Sequence, residues 1–122
     1  MLGIEYRVVN NNKIKPYKLL KDLSLIKRNE KIKENPSYGK IICKCEDISE
    51  GEIIDALNRP ISVRSVDGIK RRVRAGMGRC QGGFCADKVA QIIAKYHKIP
   101  LEQVLKENKG SCLIVGNIRG KL

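Results

Sequence analysis

The sequence predicts a mainly α fold, a small helical domain whose cysteines lie in the loops between helices. Three observations lead there. Apolar residues recur at spacings of three and four in several short segments, Ser, Gly and Pro mark where those segments start and stop, and extended segments are confined to the two ends of the chain. At 122 residues there is room for one domain.

Taken in order, residues 1–15 are weakly patterned, and "EYRVV" within them reads as a strand or an extended arm. Ser24 is placed to cap a helix running to about Glu34, which Asn35 and Pro36 stop. Residues 1–39 are therefore read as an N-terminal arm with one short helix, and residues 40–122 as the domain proper. The clearest helix follows "KIICKCED". Ser49 and Glu52 form a capping box, Ile48 and Ile53 occupy the positions of a hydrophobic staple, Ile53, Ile54 and Leu57 line one face, and Pro60 ends the element by Arg59. A further helix starts at Ser65, carries Val66, Ile69 and Val73 on one side, and stops at Gly76. The next has Val89, Ile92, Ile93 and Tyr96 on one stripe and ends before Pro100. A brief helix holds Leu101, Val104 and Leu105, and "SCLIVGNI" beyond it reads as a strand or extended tail.

Composition narrows the function. The chain is too short to hold both a nucleotide-binding domain and a substrate domain, so it is not expected to be catalytic alone. Its start has no apolar run of the secretory kind, and nothing approaches the roughly 20 apolar residues of a membrane span. A soluble, cytoplasmic protein is expected. In that compartment five cysteines indicate metal binding or redox chemistry in preference to structural disulfides. The net charge of +12, from 25 Lys and Arg against 13 Asp and Glu, suits an anionic partner such as nucleic acid, an acidic protein face or an anionic cofactor. Ten of the basic and four of the acidic residues precede Ile41, so half of the excess lies outside the cysteine region and reads as solvated surface.

Four of the cysteines fall into two pairs, C-x-C at Cys43 and Cys45 and C-x4-C at Cys80 and Cys85, with 34 residues between the pairs. In an extended segment residues i and i+2 point to one side with Cα atoms about 6–7 Å apart, close enough for two sulfurs to share a metal ion. Gly82 and Gly83 give the second loop backbone freedom and leave room for amide N–H groups to approach sulfur. Cys85 is expected at a helix N-terminus, where free N–H groups and the helix dipole favour a thiolate. By count, four thiolates suit structural zinc and an iron–sulfur cluster equally. The one-residue spacing is awkward for zinc, whereas a 2Fe-2S cluster accepts two separated pairs, Cys43 and Cys45 on one iron and Cys80 and Cys85 on the other. Its formal charge of about −2, falling to −3 on reduction, fits a basic surround.

"NPSYGKIICKCEDISEGEIIDALNRP" followed by "VDGIKRRVRAGMGRCQGGFC" resembles the 2Fe-2S domain of the bacterioferritin-associated ferredoxin type. The resemblance is closest to the version at the C-terminal end of anaerobic-type FAD-dependent glycerol-3-phosphate dehydrogenases and of related amino-acid and opine dehydrogenases. It covers roughly residues 24–115. It implies helix-turn-helix elements around a 2Fe-2S cluster, with Cys43, Cys45, Cys80 and Cys85 as ligands. The flavin domain of those longer chains is absent from the 122 residues. The resemblance therefore implies an electron-transfer subunit, or an excised domain, that takes electrons from a separate FAD-containing dehydrogenase subunit, passing them to a further carrier.

The remaining candidates read as ordinary structure. Cys112, in the apolar "SCLIVG", is expected to be a buried thiol without a ligand role. His97, the only histidine, is expected on the surface at a helix end. The basic stretch Lys70, Arg71, Arg72 and Arg74 is divided between a solvated face and a docking surface. "GMGRCQ" is not a dinucleotide fingerprint, because Gln81 stands where glycine is needed and a helix precedes it. Two other functions compete with electron transfer. A metal or cluster carrier is one, since C-x-C pairs bind soft ions. A zinc-stapled nucleic-acid-binding protein is the other, disfavoured by four Tyr and one Phe as the whole aromatic complement and by the lack of a polar recognition face, so no nucleic-acid partner is expected.

Overall fold

The structure, a computed structural model, describes residues 18–116 and residue 118. The strand or arm expected within residues 1–15 lies outside them. The fold is mainly α, as the sequence predicts, with three mutually packed helices and a two-stranded hairpin.

A 3-10 turn, Leu20–Asp22, leads into α1 (Leu25–Glu34). Asn35 ends α1, and its side chain accepts from the Ser37 N–H (3.1 Å) to open a second 3-10 turn, Pro36–Gly39. The chain then makes an antiparallel pair, β1 (Ile41–Cys43) and β2 (Ile48–Ser49), with Ile41 opposite Ser49 and Cys43 opposite Ile48. Strands this short carry no alternation long enough to be read from sequence.

Ser49 starts α2 (Glu50–Leu57) with the expected capping box. Its hydroxyl accepts from the Glu52 N–H (3.3 Å) and Glu52 Oε2 accepts from the Ser49 N–H (2.7 Å). Ile48 and Ile53, the staple pair, are fully buried. Glu52 also reaches out of its own helix, because Oε1 accepts from the Leu20 N–H (2.7 Å). One buried carboxylate thus joins the Leu20 turn, the hairpin and α2. A buried hydrogen bond to a charged group contributes about 1.5–3 kcal/mol, against about 0–1 kcal/mol for an exposed ion pair. Glu52 therefore outweighs any one surface ion pair.

The third helix, α3 (Val66–Val73), is capped by Ser65, whose hydroxyl accepts from the Gly68 N–H (3.1 Å). It stops at Arg74, two residues before the expected Gly76, because Arg74 itself takes the left-handed conformation (φ 68°). Helix α2 likewise ends at Leu57, ahead of Arg59. The last helix, α4 (Ala86–His97), closes at Lys98 (φ 53°). Its buried stripe is Val89, Ala90, Ile93 and Ala94, rotated from the expected one. Tyr96 is 38% exposed and donates to the Asn58 side chain, while Ile92 is half-buried. His97 is half-buried too, not a free surface group. Its Nε2 donates to the Val63 carbonyl (2.7 Å), tying the end of α4 to the segment before α3.

Ile53, Ala56 and Leu57 of α2 meet Ile69 and Val73 of α3 and Val89 and Ile93 of α4 in one core. The brief final helix is only a 3-10 turn, Leu101–Gln103, after which Val104 enters the core. Leu105 forms isolated bridges with Ser65 and Cys112, so "SCLIVGNI" contributes one bridging residue and no strand among its described residues.

Replacing Glu52 with Gln swaps one carboxylate oxygen for an amide donor that faces a backbone N–H. Urea unfolding of the metal-loaded protein, followed by circular dichroism, should show a loss of about 1–3 kcal/mol. An unchanged midpoint would mean that the carboxylate does not join these three segments.

Candidate metal centre

The hairpin and the loop joining α3 to α4 place the four paired cysteines. Cys43 ends β1 and is buried; Cys45 lies in the hairpin turn and is exposed. Cys80 is partly exposed in the α3–α4 loop, and Cys85 is buried at the cap of α4. All four line one cavity of about 210 Å³, together with Ile42, Phe84 and two lysines, Lys44 and Lys88. Cys43 and Cys85 belong to the hydrophobic core, so the cavity runs from core to surface.

Two sulfur contacts cross between the loops. Cys45 Sγ lies 3.5 Å from Cys80 Sγ, and Cys43 hydrogen-bonds with Cys85. The spacing argument groups the thiols within each loop instead. Among the described residues no three His, Cys, Asp or Glu side chains converge as a single-ion site. The thiols surround a space, not a point.

Backbone geometry makes this approach possible. The α3–α4 loop passes through left-handed conformations at Arg74, Gly76, Gln81 (φ 48°) and Gly82 (φ 84°). Such a conformation costs a non-glycine residue roughly 1–2 kcal/mol. At Gln81 the side-chain amide offsets it by donating to the carbonyls of Met77 (3.4 Å) and Gly78 (3.0 Å). Gly78 packs directly on the hairpin. A Cβ there would fall 2.1 Å from the Cβ of Cys45, so only glycine lets the two loops close to this distance.

Cys80 and Cys85 differ in charge preference. The backbone N–H of Phe84, with help from the Cys45 thiol and the N–H groups of Gly82 and Gly83, holds the Cys80 pKa below the ordinary thiol value. Amides do approach sulfur in this loop, as its glycines predict. Cys85 goes the other way. Burial, and then the charge and hydrogen bond of Cys43, push its pKa up to about 11. This corrects the expectation that a helix start would make Cys85 a ready thiolate: loss of hydration outweighs the roughly half-charge of the dipole. Two buried thiols side by side can ionise together only with positive charge between them, which bound metal supplies. The all-sulfur donor set and the core-to-surface cavity fit an iron–sulfur group.

Other candidates stand apart. Cys112 does not line the cavity and is exposed, against the expectation of a buried thiol, because its bridge to Leu105 lies at the edge of the fold. The basic stretch on α3 is engaged within the protein. Arg71 pairs with Glu107, Arg72 donates to the Ala56 carbonyl (3.1 Å), and Arg74 pairs with Glu46 (3.2 Å). Arg74 and Lys21 together hold the Glu46 carboxyl below its ordinary value. Sequence reasoning does not single out Gly78 as a site residue, although its place two positions before Cys80 in "GMGRC" is a signal. Phe84, Lys44 and Lys88 carry no such signal beyond adjacency to cysteine.

Residues 41–95 match the family model of the BFD-like 2Fe-2S binding domain. This segment is a BFD-like 2Fe-2S domain. The chain is 45% identical over 101 residues to a glycerol 3-phosphate dehydrogenase of Caloramator mitchellensis, a match covering 83% of this chain and 21% of that protein. It is 38% identical over 60 residues to hydrogen cyanide synthase subunit HcnB of Pseudomonas aeruginosa, covering 46% of this chain and 12% of the relative. With an anaerobic glycerol-3-phosphate dehydrogenase subunit of Escherichia coli the identity is 29% over 76 residues, 62% of this chain and 14% of the relative. The chain thus spans only a minor part of the length of these relatives. No solved structure matches it significantly. The cofactor of the BFD-like domain is a 2Fe-2S cluster, which decides between the zinc and iron–sulfur readings that four thiolates leave open.

Since Gly78 allows the hairpin to meet the α3–α4 loop, Gly78→Ala should leave the domain with less than half of the iron and sulfide per chain that the unaltered protein holds. Metal analysis with visible absorbance measures this. Full loading of the Ala variant would show that the close contact is not required.

Proposed function

We propose that this BFD-like domain is an electron-transfer unit in which Cys43, Cys45, Cys80 and Cys85 hold the cluster, and that its redox partner is an FAD-containing dehydrogenase subunit. The observation that carries the reading is the convergence of these four thiols, and no others, on one core-to-surface cavity within the family-matched segment. A bound 2Fe-2S cluster supplies one-electron chemistry. The chain's own residues do the rest. Cys43 and Cys85 anchor the inner side in the core, while Cys45 and Cys80 hold the outer side near solvent, so electrons need cross little protein. Backbone amides around Cys80 stabilise negative charge on its sulfur.

The domain is not a catalyst by itself in this reading. Oxidising an alcohol or amine removes two electrons and a hydride, chemistry that a flavin performs and a one-electron centre does not. Relatives bear dehydrogenase, synthase-subunit and oxidase-subunit names, which supports placing this domain beside such chemistry. Electrons would pass singly from the reduced flavin through the domain to a further carrier. Among the described residues no helix is long and apolar enough to cross a membrane, and we place the working protein in the cytoplasm.

Anaerobically purified protein should accept one electron per chain in a reductive titration. Cys43→Ser, Cys45→Ser, Cys80→Ser and Cys85→Ser should each lose most of the visible absorbance, and Cys112→Ser should keep it. Loss of colour in the Cys112 variant with an intact fold would overturn the ligand assignment. Isolation of the tagged protein from its native cells should bring down a flavoprotein; recovery of nucleic acid or a copper transporter without one would overturn the partner assignment.

A further inference from the structure

The surface over the outer cysteines carries features that cluster binding alone does not require. Phe84, the only phenylalanine of the chain, is 82% exposed although it lines the cluster cavity. Its backbone N–H serves Cys80, a task any residue other than proline could perform, so nothing in the fold explains an aromatic ring facing water. Exposed aromatic rings beside a functional centre are characteristic anchors of protein interfaces.

Cations flank this ring. Lys44 and Lys88 line the same cavity, and Arg79, next in the chain to Cys80, is exposed. None of the three has an acidic partner among the described residues. The nearby acids pair elsewhere: Glu46 with Lys21 and Arg74, Asp47 with Arg28, and Glu50, which shares a cavity with Lys88, with Lys40. Asp87 borders a different, apolar cavity against Leu101 and Leu113. A further cavity of about 390 Å³ adjoins the cluster site through Ile42 and Lys88, with Lys95 on its rim. An apolar centre ringed by unpaired positive charge is complementary to an acidic protein surface with an apolar depression.

Resting on the electron-transfer reading above, we infer that Phe84 with Lys44, Arg79 and Lys88 forms the docking face for an acidic flavoprotein, and that electrons enter the cluster there. The basic face of α3 is less available for this role, because Arg71 and Arg74 already pair with acids within the fold and Arg72 with the Ala56 carbonyl. Docking brings the partner's cofactor over the outer edge of the site. The reduced flavin loses one electron, and one iron of the cluster goes from ferric to ferrous.

A reduced flavodoxin, an acidic one-electron flavoprotein, serves as the probe, and stopped-flow absorbance follows reduction of the cluster-loaded protein. The rate should fall as salt is raised. Phe84→Ala, which changes no charge, and the double variant Lys44→Glu with Lys88→Glu should each slow reduction about tenfold or more, whereas Arg71→Glu should stay within about twofold. All variants should keep the visible spectrum and should be reduced by a small photogenerated deazaflavin radical at the unaltered rate. Unchanged flavodoxin rates in the Phe84 and lysine variants, or an equal loss with the small reductant, would overturn the docking face while leaving the cluster reading in place. Colourless protein after anaerobic purification would overturn both.

Discussion

The contact between Gly78 and Cys45 is the constraint around which the rest of the molecule is arranged. Two loops whose outer thiols lie 35 positions apart in sequence must meet within sulfur–sulfur distance, and a Cβ at residue 78 would occupy the space already filled by the side chain of Cys45. Holding the loops together costs chain entropy, and left-handed backbone at Gln81 adds strain. The offset comes from the core under the loops. Ile48 and Ile53 fix the hairpin onto α2, Val73 and Val89 fix the two ends of the α3–α4 loop, and each fully buried aliphatic side chain contributes about 1.5–3 kcal/mol. Glu52 adds a polar tie between the hairpin, α2 and the turn at Leu20.

The same arrangement makes the site asymmetric. Its inner thiols belong to the core, where burial makes Cys85 resist ionisation, while its outer thiols reach the surface, where backbone amides surround the Cys80 sulfur. A group held between them is anchored on one side and reachable on the other, which suits electron exchange better than storage. Positive charge follows that asymmetry. Lys44 and Lys88 at the cavity and Arg79 beside Cys80 have no acidic partner among the described residues, whereas Arg71, Arg72 and Arg74 serve structure by holding Glu107, the Ala56 carbonyl and Glu46. An abundance of basic residues in sequence thus divides into a structural set and an available set, and only the fold separates them.

What could be read from sequence was what is encoded locally. The Ser49–Glu52 capping box, the Ser65 cap and the span of α1 depend on residues within one or two turns of each other, and all three stand as expected. The mainly α class and the BFD-like 2Fe-2S character of residues 41–95 were legible too, because each cysteine pair and the glycines around Cys80 are local motifs. Features set by distant contacts were not. Tyr96 turns outward because Ala90 and Ala94 fill the face of α4 toward the core, Cys112 is exposed because its neighbour Leu105 pairs at the rim, and Cys85 resists ionisation because it is buried, and then because Cys43 lies beside it. The hairpin at Ile41–Ser49 was invisible because five strand residues are too few to show a period. The cross-loop grouping of sulfurs likewise exists only once the two loops have met.

The central claim is that four thiolates from two loops enclose one two-iron centre. Mössbauer spectroscopy of the protein loaded with the 57Fe isotope tests it most directly, because it reports the number of iron sites, their valence and their coupling together. The account predicts two tetrahedral, sulfur-ligated ferric sites coupled to a diamagnetic ground state when oxidised, and one ferric with one ferrous site after uptake of a single electron. A spectrum of isolated, uncoupled iron, or protein that excludes iron and holds one zinc per chain, would contradict it.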